Sequence, residues 1–107
     1  MSLLDENTAI LMKFEAEGKD LSSMKLIDFS HLFADVASAN RFAADAEAEG
    51  FKIAVDQSHS SEHTWDVTAS KVLLPSADAI TEAEAQLSTL AEFHQGYADG
   101  WGLFNSW

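Results

Sequence analysis

The chain contains no cysteine. That excludes disulfides and thiolate metal sites together. Basic residues are scarce: six Lys and Arg stand against 18 Asp and Glu, for a formal net charge of −12. Nucleic-acid binding runs on Lys and Arg displacing counterions, so a direct nucleic-acid role is disfavoured. No apolar run approaches the length of a membrane span. The first residues lack the basic start and apolar middle of a secretory signal. These absences are compatible with a reducing cytoplasm. Proline occurs once, at Pro75, so breaks between elements rest on glycine and polar clusters. No segment is low in complexity and nothing repeats at a fixed period.

What is present is enough for one folded domain over residues 1–107. A chain of 107 residues buries roughly two thirds of its unfolded surface without staples. Hydrophobic residues make up 47%, as in a globule rather than a disordered chain. The acidic excess steers such a domain toward basic surfaces, or serves only to keep it soluble.

Hydrophobic spacing divides the chain into a helix and connector over residues 1–24 and an α+β core over residues 25–107. Leu3, Leu4, Ile10, Leu11 and Phe14 recur at helical spacing up to Gly18, a C-terminal stop. Residues 25–33 alternate: Ile27, Phe29, His31 and Phe33 share one face, and Leu26, Asp28, Ser30 and Leu32 the other. Both faces are partly apolar, which predicts a central strand. Asp35 stands where a helix N-cap belongs. Val36, Ala39, Phe42, Ala43 and Ala46 form the next stripe, with Asp45, Glu47 and Glu49 toward water and Gly50 as the stop. Residues 51–56 and 63–70 alternate again around a polar loop, which predicts a hairpin. Ser76-Ala77-Asp78 opens the longest helix, whose start lies near Asp78 or, by the capping-box spacing of Thr81 and Glu84, at Thr81. Gly96 ends it. A last strand follows over residues 97–104, where Gly100 and Gly102 bracket Trp101. Glycine weakens a strand interior. Two of them there imply a close backbone or a bulge that aims the tryptophan.

This order is a ferredoxin-like βαββαβ sandwich with an extra N-terminal helix. Its first and third strands are central, and its second and fourth form the edges. Both main helices cover one sheet face. The other is open, covered by the N-terminal helix, or used for binding.

Chemistry-bearing constellations are few. His59 and His63, four apart, invite a metal reading, but they fall in the hairpin loop. His59-Ser60-Ser61-Glu62-His63 also does not place glutamate as zinc proteases do. His31 on an apolar strand face reads as a core histidine. His94 reads as a helix-end residue favoured by the negative pole. No glycine-rich phosphate loop, nucleophile elbow or catalytic triad stands out. The expectation is a non-enzyme with no cofactor and no metal. Trp65 and Trp101 are either core or cover residues, or one of them anchors a protein interface.

Four blocks carry a family resemblance. They are Ser30-His31-Leu32-Phe33-Ala34-Asp35; Ala48-Glu49-Gly50-Phe51-Lys52-Ile53; Leu87-Ser88-Thr89-Leu90-Ala91-Glu92; and, most specific, Tyr97-Ala98-Asp99-Gly100-Trp101-Gly102. In order and spacing the chain resembles the bacterial regulator of ribonuclease E activity B family over nearly its whole length. The resemblance implies a ferredoxin-like fold and a cytoplasmic, non-enzymatic protein. It also implies binding to ribonuclease E, chiefly through that enzyme's non-catalytic C-terminal region, with inhibition of RNA processing. A charge of −12 suits competition for basic, RNA-binding segments. The expected contact residues are Asp45, Glu47, Glu49, Glu82 and Glu92 on the helices, with Asp99 and Trp101 on the last strand. The alternative expectation is a small-ligand or dimerisation module on the same scaffold. Oligomeric state is left open.

Overall fold

Apolar alternation on both faces of residues 25–33 places that strand at the centre of a sheet, and there it lies. The computed structural model describes residues 3–19, 21–57 and 64–103. Its elements run α1 (Leu3–Ala16), β1 (Lys25–Phe33), α2 (Val36–Ala48), β2 (Lys52–Gln57), β3 (Trp65–Leu73), α3 (Ala77–Phe93) and β4 (Tyr97–Leu103). The four strands order as β2-β3-β1-β4, all antiparallel. This α+β arrangement is the ferredoxin-like order, with β1 and β3 inside. The loop positions 58–63, and with them His59 and His63, lie outside the described residues, as do positions 104–107.

One sheet face is the core face. Ile27, Phe29, Phe33, Val67 and Ala69 are fully buried against Phe42, Ile80 and Leu87. Ala39, Ala46, Ala83 and Ala91 line the inner sides of α2 and α3, and their small side chains let the helices lie close. His31 shares this face, 4.8 Å from the Phe42 ring. Burial lowers its pKa to about 4, against smaller opposing effects of the Phe29 and Val67 backbone and of Asp99. Among the described residues its Nδ1 has no hydrogen-bond partner. α1 joins this same helix layer by packing on α3, so it does not cover the opposite face.

Local signals set most boundaries. The Ser38 N–H donates to Asp35 Oδ1 at 2.9 Å and caps α2 as expected. Gly50 ends α2 with φ +98°, and the Phe51 N–H bonds back to the Ala46 carbonyl. Of the two expected starts of α3, the one near Asp78 holds and the one at Thr81 does not: the helix begins at Ala77, with Ser76 as its N-cap accepting from the Ala79 N–H at 3.2 Å. Gly96 does not supply the left-handed residue that ends α3. Gln95 does, at φ +66°. Gly96 is needed for space, since a Cβ there would lie 2.2 Å from the Phe33 ring. β3 also runs on through Leu73, three residues past the alternation that marked it.

The paired glycines of β4 resolve into a bulge. The β1–β4 register passes from Ser30↔Gly100 to His31↔Ala98, which leaves Asp99 as the extra residue. Gly100 takes φ +121°, and no atom lies within 4 Å of a Cβ built there or at Gly102. Conformation, not a close backbone, therefore explains Gly100.

Candidate partner-binding surface

Two surfaces are candidates: the outer side of the helix layer, and the sheet face that no helix covers. The expected contact residues fall on the helix side, except Asp99, which sits at the bulge of β4.

On the helix layer, Glu47, Glu49, Glu82 and Glu92 are exposed. Asp45 is half-exposed but engaged. It accepts from His94 Nε2 at 2.6 Å, which ties α2 to the end of α3. Beside this pair, Ser38, Arg41, Phe93, His94 and Gln95 line an open, polar cleft of about 180 Å³. Lys71 Nζ reaches the Glu49 carbonyl and sits 4.8 Å over the Phe51 ring. Glu82 lines the rim of the cleft beside it.

Trp101 faces the helix layer, as the cross-strand partner of Phe29. It is half-buried, with the Phe14 ring edge-on at 5.8 Å. Its Nε1–H donates to Asn7 Oδ1 at 2.9 Å. Asn7 Nδ2 in turn donates to Thr81 Oγ1 at 3.0 Å and Glu84 Oε1 at 2.7 Å. Asn7 is 1% exposed, so one buried amide joins α1, α3 and β4. The stripe of α1 is thus Asn7, Leu11 and Phe14, while Leu4 and Ile10 remain partly exposed. Thr81 and Glu84, spaced as a capping box, serve as acceptors for this amide instead. Burial raises the Glu84 pKa, the Asn7 hydrogen bond lowers it, and Glu6 raises it.

The opposite face is laid out by register. Three rows cross all four strands: Lys52–Ser70–Asp28–Gly102, then Ala54–Thr68–Ser30–Gly100, then Asp56–Asp66–Leu32–Tyr97. The middle row carries only small side chains. By residue size alone it forms a low strip, or trough, that spans roughly 14 Å at the usual strand spacing. Ser70 Oγ donates to Asp28 Oδ1 at 2.6 Å on one wall. On the other wall Asp56 and Asp66 are directly opposed. Like charges so placed destabilise a sheet. Burial, then Asp99, then Asp56 push the Asp66 pKa up. Among the described residues Asp66 Oδ1 has no hydrogen-bond partner. Tyr97 at the row's far end is 60% exposed.

Of the acids on and beside this face, the expected contact set includes Asp99 and omits Asp28, Asp56 and Asp66. Alternation already set them opposite the apolar residues of their strands. What it lacked was the register that brings Asp56 against Asp66. Among the described residues, no three His, Cys, Asp or Glu gather to hold a metal. No helix there is long and apolar enough to cross a membrane. No individually curated protein matches the chain. The family model for the regulator of ribonuclease activity B matches residues 4–103, nearly the whole chain. With its α+β sandwich, its extra N-terminal helix and its acid-rich surface, the chain belongs to the regulator of ribonuclease activity B family.

Proposed function

We propose that the protein is a non-catalytic, cytoplasmic regulator that inhibits an RNA-degrading endoribonuclease of the ribonuclease E kind by charge-steered binding to its basic region. The observation that carries this reading is the family membership joined to a surplus of twelve negative charges on 107 residues. A nuclease segment that holds RNA is basic, and a strongly acidic domain competes for it. Glu47, Glu49, Glu82 and Glu92 supply long-range attraction from the helix layer. Asp45 and Trp101 contribute less directly, because one is held by His94 and the other by Asn7 and Phe14. Asp99 adds its charge at the bulge of β4.

The test has two parts. The chain is used to capture proteins from its own cell lysate at stepped ionic strength, and the captured nuclease is assayed on RNA with and without the chain. The expected result is capture of an RNA-degrading endoribonuclease, slower cleavage, and release as salt rises. Capture with undiminished cleavage would remove the inhibitor reading. Capture indifferent to salt would remove the electrostatic one.

A further inference from the structure

We propose that the uncovered face of the sheet is the docking surface for a basic, arginine-bearing segment of a protein partner, with Asp56 and Asp66 receiving its guanidinium groups. The partner's identity rests on the regulator reading above; the surface does not.

Four observations support this. First, α1, α2 and α3 all lie on the other side of the sheet, so nothing among the described residues covers this face. Second, its charges are unbalanced: by register it carries Asp28, Asp56 and Asp66 against Lys52 alone. Third, two of those aspartates are set directly across from each other, and Asp66 keeps one oxygen out of solvent without a partner among the described residues. An opposed carboxylate pair is costly when empty, and its repulsion is relieved when a cation comes between the two groups. Fourth, the trough beside them is floored by Ala54, Thr68, Ser30 and Gly100, so an incoming side chain can lie flat across the strands.

The chemistry favours arginine over lysine. A guanidinium offers a planar fork of donors that two neighbouring carboxylates can share, whereas an ammonium is a point charge. Tyr97 ends the same row two strands beyond Asp66, and its exposed ring gives a second guanidinium of the same segment a surface to stack on. Nucleic acid is repelled by the same carboxylates. A second copy of a −12 chain would bring more negative charge to an already negative face.

The experiment has two arms. In the first, the isotope-labelled chain is titrated with a peptide of alternating arginine and serine, and amide shifts are mapped by NMR. In the second, capture of the nuclease is compared among the wild type, Asp56→Asn/Asp66→Asn, Ala54→Arg, and a charge-matched control, Glu15→Gln/Glu17→Gln. The peptide is expected to move amides of β1, β2 and β3 around the trough. Both face variants are expected to weaken capture about tenfold or more, and the control about twofold or less. The double asparagine variant should melt no lower than wild type, since it removes a repulsive pair.

Shifts confined to the helix layer would overturn the proposal. So would equal weakening by the face and control variants, which would mean diffuse charge rather than a site. Dilution of the chain alone reproducing the same shifts would hand the face to a second copy and overturn it also. If the wild type captures no nuclease while the peptide maps to the trough, the docking face stands and the regulator reading falls.

Discussion

Removing the Asn7 side chain should destabilise the whole domain, not merely loosen the helix that carries it. Asn7 is buried, and its amide makes three hydrogen bonds: one accepted from Trp101 Nε1–H, and one donated to each of Thr81 and Glu84. Asn7→Ala leaves the indole N–H of Trp101 without a partner and opens a small void beside Leu11. An orphaned buried donor costs about 1–3 kcal/mol, and the void adds about 1 kcal/mol. Glu84, already pushed toward its neutral form by burial, also loses the donor that favours its charge. The sum is about 3 kcal/mol, a large part of the roughly 5–15 kcal/mol that holds a domain together. At this chain length that lowers the melting temperature by roughly 12 °C or more.

A double-mutant cycle separates the hydrogen bond from the packing. Trp101→Phe keeps an aromatic ring against Phe14 and deletes the donor. Asn7→Leu fills the site and deletes the acceptor. If the amide–indole bond matters as described, the double variant costs less than the two single changes added together. The difference is about 1–2 kcal/mol, because removing both partners leaves neither unsatisfied. Urea unfolding followed by circular dichroism measures each corner. Strict additivity, or an Asn7→Ala protein as stable as wild type, would refute the reasoning. It would mean that α1 is held by Leu11 and Phe14 alone.

Three further outcomes follow from the fold. His31 titrates near 4 in the folded chain against 6.5 unfolded, so the folded state binds fewer protons between those values. Its contribution is complete above pH 6.5 and is lost as pH falls toward 4, up to about 3 kcal/mol. Asp66 and Glu84, both raised, act with the opposite sign, and a His31→Leu variant should flatten the acid side of a melting-temperature profile measured from pH 7 to pH 4. Among the glycines, Gly96→Ala should cost about 2 kcal/mol or more against the Phe33 ring. Gly102→Ala, with open space around it, should be near neutral in the same urea assay. Gln95→Gly should stabilise by about 0.5–1 kcal/mol, since it removes a left-handed side chain from the end of α3; a lower melting temperature would show that the side chain does other work.

Element order and most element limits were legible because they depend on near neighbours in the sequence. The alternation of residues 25–33 set a central strand with its inward and outward faces. Asp35 and Gly50 marked the ends of α2 by chemistry that spans a few residues. What failed were features settled by distant partners. Asn7 reads as a polar interruption of an apolar helix until Trp101, Thr81 and Glu84 arrive from about 75 or more positions away. Thr81 and Glu84 mimic a capping box because spacing alone cannot show that Asn7 occupies them. Asp45 looked like a solvent-facing acid until the end of α3 brought His94 against it. The acids of the open sheet face were each assignable to their side, but their meeting depends on strand register, which alternation does not fix.

That division bears on how an acidic regulator achieves a defined contact rather than general stickiness. Exposed carboxylates on α2 and α3 sit in water and are screened within about 8 Å at physiological salt. On the proposed reading they raise the encounter rate with a basic partner and discriminate little between one basic segment and another. Asp66 is different: one oxygen is shielded from solvent without a partner among the described residues, and Asp56 and Asp99 crowd it. A cation that reaches Asp66 meets two or three carboxylates in a fixed arrangement, held by the strand pairing rather than by flexible side chains. On the proposed reading the helix acids supply the attraction, and the sheet face sets where the attracted segment stops. Salt should therefore slow association by wild type and by the Asp56→Asn/Asp66→Asn variant alike. Dissociation should be faster in the variant at every salt concentration. Stopped-flow measurement of both rates with the arginine–serine peptide resolves the two effects. A variant that differs from wild type only in its association rate would show that the opposed aspartates attract but do not hold.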